Sequence, residues 1–238
     1  MGFALRHPVR STSSPYVRQF LLLLLPSASI GKKVVMALSG LGLAGFVLGH
    51  MSGNLLMFKG RDAINAYAAW LHANKGLLWG ARVVLILSTI AHIWTGIQLT
   101  LENRAAREGG PAVDATRRAS LSSRTMPYSG IVILAFVVFH LLHYTFRTVA
   151  LGGVDFGDDV YKMLLAGFAQ PAVALFYIVS MILLCLHLSH GISSVFQTLG
   201  LRNERWRSRL DCVASLYAWI VALGFISIPL AVLTGCLK

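Results

Sequence analysis

Four histidines stand where an ionisable ring is costly. His50, His92, His140 and His187 each lie inside a long apolar run. Ionisable groups in such surroundings mark function by default. A neutral imidazole keeps one bare ring nitrogen, and that lone pair is a good ligand for a first-row metal. Two imidazoles facing each other from different helices can hold a haem iron from both sides, because bundles build cofactor sites from inward side chains on facing helices. Zinc is the other metal to weigh. His140/His143 and His187/His190 are both i, i+3 pairs, a spacing that can chelate it. Nothing acidic or thiolate is placed to complete such a zinc site. Within each doublet one ring should face the cofactor and the other a neighbouring helix, loop or propionate, and spacing alone leaves the choice open.

The runs that carry these rings read as membrane spans at about 34–58, 77–101, 126–149, 168–200 and 212–236. About 20 apolar residues at 1.5 Å rise cross a ~30 Å hydrocarbon core. The fourth run is longer than a bilayer requires and implies tilt or protrusion. Pro229 stands near the end of the fifth, where a kink is tolerable. The expected fold class is therefore an all-α integral membrane protein, a five-helix bundle over residues 31–238. Residues 1–30 are basic, with Arg6, Arg10 and Arg18, and contain the short apolar patch QFLLLLLP. That patch is too short to span and reads as a segment lying on the membrane surface.

Composition agrees. The chain has 238 residues, 56% of them hydrophobic and only 13% charged, about half the charge of a soluble domain. The net charge of +12 does not point to nucleic acid, because the lysines and arginines cluster in short loops between apolar runs, as orientation signals and lipid contacts do. The N-terminal tail, the loop between spans II and III and the loop between spans IV and V hold 14 of the 21 Lys and Arg. The positive-inside rule then puts the N-terminus in the cytoplasm and the C-terminus outside. The three cysteines show no CxxC and no CxxCH spacing, so c-type haem attachment and a disulfide frame are not indicated.

Depth sorts the histidines into pairs. His50 is 16 residues past Val34 and His140 is 14 past Met126, which puts both ~21–24 Å from the inner face. His92 and His187 lie 15 and 19 residues into inward-running spans, ~22–29 Å from the outer face. Spans I and III thus supply an outer pair, and spans II and IV an inner pair. Gly45, Gly49 and Gly53 line up beside His50, and Gly96 and Gly191 each stand four residues after a histidine. Glycine lets a macrocycle or a helix approach the backbone closely. Ser88, one turn before His92, is placed to accept its Nδ1 proton. Arg82 is set to snorkel or to pair with a haem propionate. All nine Asp and Glu fall in loops or at span edges, so no carboxylate relay crosses the membrane and a proton-coupled transporter is disfavoured.

The stretches IGKKVVMALSGLGL, GHMSGNLLMFKGRDAINAYAAWLH, ARVVLILSTIAHIWTGIQLTLENRAAR, SGIVILAFVVFHLLHYTF and HLSHGISSVFQTLG resemble the single-chain di-haem cytochrome b anchor of succinate dehydrogenase and fumarate reductase. The resemblance covers about residues 30–236. It implies two haem b groups, one shared by the histidines of helices I and III and one by those of helices II and IV. Carried over position by position, it assigns His50, His92 and His140, with His143 as fallback for His140. HLSHG matches at His187, with His190 as fallback. Some fumarate reductases of this type place a glutamate two residues before that last histidine, where this chain has Cys185. The resemblance further implies electron exchange with menaquinone or another quinone, partner flavoprotein and iron–sulfur subunits on the cytoplasmic face, a bacterial cytoplasmic membrane, and room for a higher-order assembly of the complex. Asn54, Tyr67 and His72 offer polar groups for a quinone near the outer pair. The alternatives are a quinol:fumarate reductase anchor, the di-haem anchor of a hydrogenase or formate dehydrogenase, and a haem-free transporter or assembly protein.

Overall fold

A run of apolar residues in hydrocarbon has one low-energy course, the helix, because every backbone N–H and C=O must find a partner within the segment. The computed structural model describes residues 29–108, 121–151 and 153–238, and among these there is no strand. The expected surface segment 1–30 falls outside them apart from its last two residues, as do Arg117 and Arg118 of the basic loop. Seven α-helices are described: α1 Ser29–Asn54, α2 Arg61–Ala73, α3 Lys75–Glu108, α4 Leu121–His140, α5 Val160–Phe168, α6 Pro171–Thr198 and α7 Arg207–Leu233. Five of them, α1, α3, α4, α6 and α7, are long and apolar enough to cross a membrane.

Local chemistry sets the ends. Pro171 opens α6 at a first-turn position, where its missing N–H costs nothing. Gly200 and Gly235, at φ 73° and 74°, follow the last turns of α6 and α7 in the left-handed conformation that closes helices. There Leu201 N donates to Phe196 O and Leu237 N to Ala231 O, both at 3.0 Å. Asp159 caps α5 by accepting from Lys162 N at 3.2 Å.

Three boundaries differ from those read in the sequence. The third span does not run on to residue 149. It closes with a π-helical turn, Leu141–Thr145, and Phe146 N donates to Leu141 O at 2.8 Å. The chain then reverses through Arg147 and Ala150, both at positive φ. The fourth span is not one long tilted helix beginning at 168, because Phe168 ends the short helix α5 and Pro171 starts α6. The loop expected between the first two spans contains a 3-10 turn, Leu55–Lys59, and the 13-residue helix α2.

The helices run up and down. α3 lies antiparallel on α1, with Met36 against Gly96, Gly40 against His92 and Ser88 against Gly42. α4 lies antiparallel on α6, with Ser129 near His187 and Phe136 on Tyr177. α7 makes the most extensive helix pair of all with α6. Its Ala214, Ala218 and Ala222 are at most 1% exposed and repeat every four residues, the small-residue seam that lets membrane helices approach closely. α3 is the edge of the bundle. Ile86, Leu87, Ile90 and Trp94 stand 58–62% exposed along it, a surface that lipid chains solvate.

Each end of the bundle is tied by charge. At one end Lys32 pairs with Glu102, and Arg202 holds Asp211 with two hydrogen bonds, at 3.1 and 2.7 Å, while Ser193 donates to the same carboxylate. At the other end α2 and α5 meet through Asp159. Asn65 Nδ2 donates to its Oδ1 at 3.0 Å, Arg61 pairs with its Oδ2 at 2.6 Å, and Tyr161 N donates to Asn65 Oδ1 at 3.1 Å. The Asn65 hydrogen bond, with help from Lys162 N and Arg61, holds the Asp159 carboxyl below its ordinary range. A lowered folded value means a contribution that is full above the ordinary carboxylate pKa and is lost as pH falls through the folded one. Amide hydrogen exchange in α2 and α5 is therefore expected to accelerate beyond its intrinsic pH dependence below about pH 4, and Asp159→Ala should show the fast exchange at neutral pH as well.

Candidate functional site

The four span histidines meet as two pairs. The rings of His50 on α1 and His140 on α4 have centroids 5.8 Å apart at an interplanar angle of 83°. Those of His92 on α3 and His187 on α6 are 6.1 Å apart at 60°. A ring nitrogen sits about 2.0 Å from a bound first-row metal and the ring centre roughly 1 Å further out, so imidazoles on opposite sides of one metal have centres about 6 Å apart. His92 touches the level of Gly40, ten residues before His50 on the same helix. The two pairs are therefore staggered by about 15 Å along the bundle.

The doublets resolve geometrically. His140, not its neighbour His143, faces His50. His143 is fully buried and belongs to an aromatic cluster, stacking on Tyr144 at 3.9 Å and bonding Tyr177 OH through Nδ1 at 3.0 Å. His140 Nδ1 reaches the same hydroxyl at 3.3 Å. One phenol hydroxyl thus bridges the Nδ1 atoms of two imidazoles. His143 Nε2 and the Tyr144 hydroxyl have no hydrogen-bond partner among the described residues. Both crowd the α-carbon face of Gly167 on α5, where any side chain would collide. In the second doublet His187 faces His92. His190, one turn on, has Arg202 as its charged neighbour.

The inner pair has hydroxyl partners that the sequence reading missed. Ser39 Oγ lies 3.4 Å from His92 Nδ1, and Ser129 Oγ 3.2 Å from His187 Nδ1. Ser88 does not take that role. It points at Gly42 of α1, while the His92 ring lies against Gly40. A signal was present: counted from the span ends, Ser39 falls level with His92.

Around the outer pair, Phe46 stacks on His50 at 5.3 Å and Phe225 lies 5.9 Å away. Asn54 is bound to the end of α1, donating to His50 O at 2.8 Å with its Nδ2 3.5 Å from His50 Nε2. The Tyr67 ring covers Gly53, and a side chain there would start 2.6 Å from it. Asn54 and Tyr67 thus both sit beside the outer pair. His72 is apart from them, exposed on the last turn of α2. Arg82 lies with its guanidinium over Trp79, 5.0 Å from the ring centre. Cys185 is buried among Ala44, Leu188, Ala218 and Val221.

Each pair offers two facing imidazoles from different helices, a donor set that suits a flat group held from both faces better than a bare ion. Among the described residues no three His, Cys, Asp or Glu side chains converge on one point, so neither pair has the further protein ligands zinc demands. A cavity of about 370 Å³ lies between α1, α6 and α7, lined by Leu41, Ala44, Gly45, Ile192, Val195, Phe196, Val213 and Tyr217, and by none of the four paired histidines. Gly45 and Gly49 have nothing within 4 Å of the point where a side chain would begin.

Fold and site together define a multi-pass helical membrane protein carrying two interhelical histidine pairs. The chain matches no family model, no curated protein and no solved structure. The Tyr177 bridge can be tested directly. Tyr177→Phe strands two buried ring nitrogens and should lower stability by about 1–3 kcal/mol, read as a lower thermal midpoint in detergent, whereas Tyr161→Phe, which removes only an exposed bond to the C-terminal residue, should leave the midpoint near wild type.

Proposed function

We propose that this chain is the di-haem cytochrome b subunit that anchors a succinate:quinone oxidoreductase in the membrane. The observation that carries the reading is the presence of two histidine pairs, each joining two helices at 5.8 or 6.1 Å between ring centres, at two depths of one apolar bundle. His50 and His140 are the residues that would hold one haem b, and His92 and His187 the other. Such a group supplies a one-electron carrier whose potential the protein sets through its axial ligands, their hydrogen bonds and burial.

The chain's own residues do the rest. The helices hold the two ring pairs about 15 Å apart along the axis and exclude water from them. The end bearing Lys32, Arg202, Arg205, Arg207 and Arg209 is the cytoplasmic face by the positive-inside rule, and it is where the flavoprotein and iron–sulfur subunits dock. Succinate chemistry belongs to those partners. Asn54 and Tyr67, beside the outer pair, are the polar groups for menaquinone or another quinone. Arg82, near the Lys75 end of α3, is the candidate partner for a propionate of the outer haem once it leaves Trp79. The membrane is the bacterial cytoplasmic one, and quinol-driven fumarate reduction is the same machinery run in reverse.

A reduced-minus-oxidised spectrum of the purified chain should show a b-type α-band with two haems per polypeptide. His50→Ala and His140→Ala should each lose the same haem, and His92→Ala and His187→Ala the other. His143→Ala and His190→Ala should keep both. No α-band, or one haem per chain, sinks the proposal. Co-purification with a flavoprotein that oxidises succinate separates it from a hydrogenase or formate dehydrogenase anchor.

A further inference from the structure

The inner histidines are held by hydroxyls that come from neither of their own helices. Ser39 of α1 reaches His92, and Ser129 of α4 reaches His187. Both serines are buried, at 8% and 2% exposure, so water does not compete for them. A serine hydroxyl has one proton to give and two lone pairs to accept with. In each case a carbonyl of the serine's own helix is closer than the imidazole: Val35 O at 2.7 Å from Ser39, and Met126 O at 3.0 Å from Ser129. A carbonyl oxygen only accepts, so the hydroxyl proton goes there. The hydroxyl oxygen then faces the ring with a lone pair, and the ring nitrogen it faces must carry the proton. A neutral imidazole protonated at Nδ1 keeps Nε2 bare.

We infer that Ser39 and Ser129 are positioning residues that fix His92 and His187 as Nδ1–H tautomers and strengthen their Nε2 atoms as metal ligands. The metal half of this rests on the di-haem reading; the tautomer half does not. The effect is confined to one pair. On the outer side His140 shares the Tyr177 hydroxyl with His143, and no serine bonds His50 among the described residues. An acceptor on Nδ1–H pushes electron density toward the metal and favours its more positive oxidation state, which lowers the potential. The shorter contact at Ser129 makes it the stronger of the two.

The test uses the full chain in detergent with Ser39→Ala, Ser129→Ala and Ser129→Thr, redox titration of the α-band, and ¹⁵N spectra of histidine-labelled protein. One haem's midpoint potential should rise in each alanine variant, more in Ser129→Ala, while the other haem's stays put and Ser129→Thr returns toward wild type. The nitrogen spectra of wild type should show His92 and His187 protonated at Nδ1, with those resonances moved by the alanine substitutions. Potentials unmoved in both alanine variants at full haem content overturn the inference, and so does an Nε2–H tautomer at either histidine in haem-free wild type. A wild-type chain that binds no haem rejects the di-haem reading by itself, and the nitrogen spectra then decide the serine–histidine bonds on their own.

Discussion

In hydrocarbon a polar ring nitrogen has no water to fall back on, and leaving it unpaired costs more than most packing contacts return. That constraint couples the four histidine-bearing helices. His92 needs Ser39 from α1, His187 needs Ser129 from α4, and His140 needs Tyr177 from α6. Each bond fixes both the rotation and the axial register of two helices at once. Sliding α4 along α6 by one turn would break the serine contact and the tyrosine contact together. The polar atoms are few, but they choose one arrangement among the many that apolar surfaces alone would tolerate.

The rest of the bundle divides the labour. α7 carries no charged side chain beyond Asp211 and no histidine, yet its alanine seam is the broadest support of α6 and so of His187. Met51 of α1 packs over Gly224, and Tyr217 donates to Ala44 O at 2.6 Å, so α7 also steadies the helix that carries His50. α3 has the opposite character, with one helix as its main support and lipid around the remainder. The α2–α5 end is a soluble-style assembly of capped helices and ion pairs laid over the outer histidines and their aromatic neighbours.

Much of this was legible in the residues. The five long helices follow from apolar length alone, and counting residues from the span ends predicts which histidines share a depth, because rise per residue is nearly invariant. Depth carries no information about rotation, so it could not say which hydroxyl meets which ring; Ser88 was the nearer in sequence and Ser39 the nearer in space. Short helices were missed for a different reason. Arg61–Ala73 mixes charge, alanine and aromatic residues, and Val160–Phe168 runs into the next apolar stretch, so neither is set off by hydropathy. Pro171 was the available punctuation mark between α5 and α6. Tyr177 is one aromatic among several in its span, and only the structure shows His140 and His143 from the end of α4 converging on its hydroxyl.

The π-helical turn after His140 has a consequence for how this helix tolerates change. Such a turn holds one residue more than an α-turn would, and each residue advances the helix by about 100°. It acts as a phase adjuster. Upstream of it, α4 keeps the phase that aims Ser129 and His140 at their partners; within it, His143 and Tyr144 are turned into the α5 contact at Gly167. The two can be set separately by adding or removing one residue in the turn, which lets the α5 contact be reshaped without re-aiming His140.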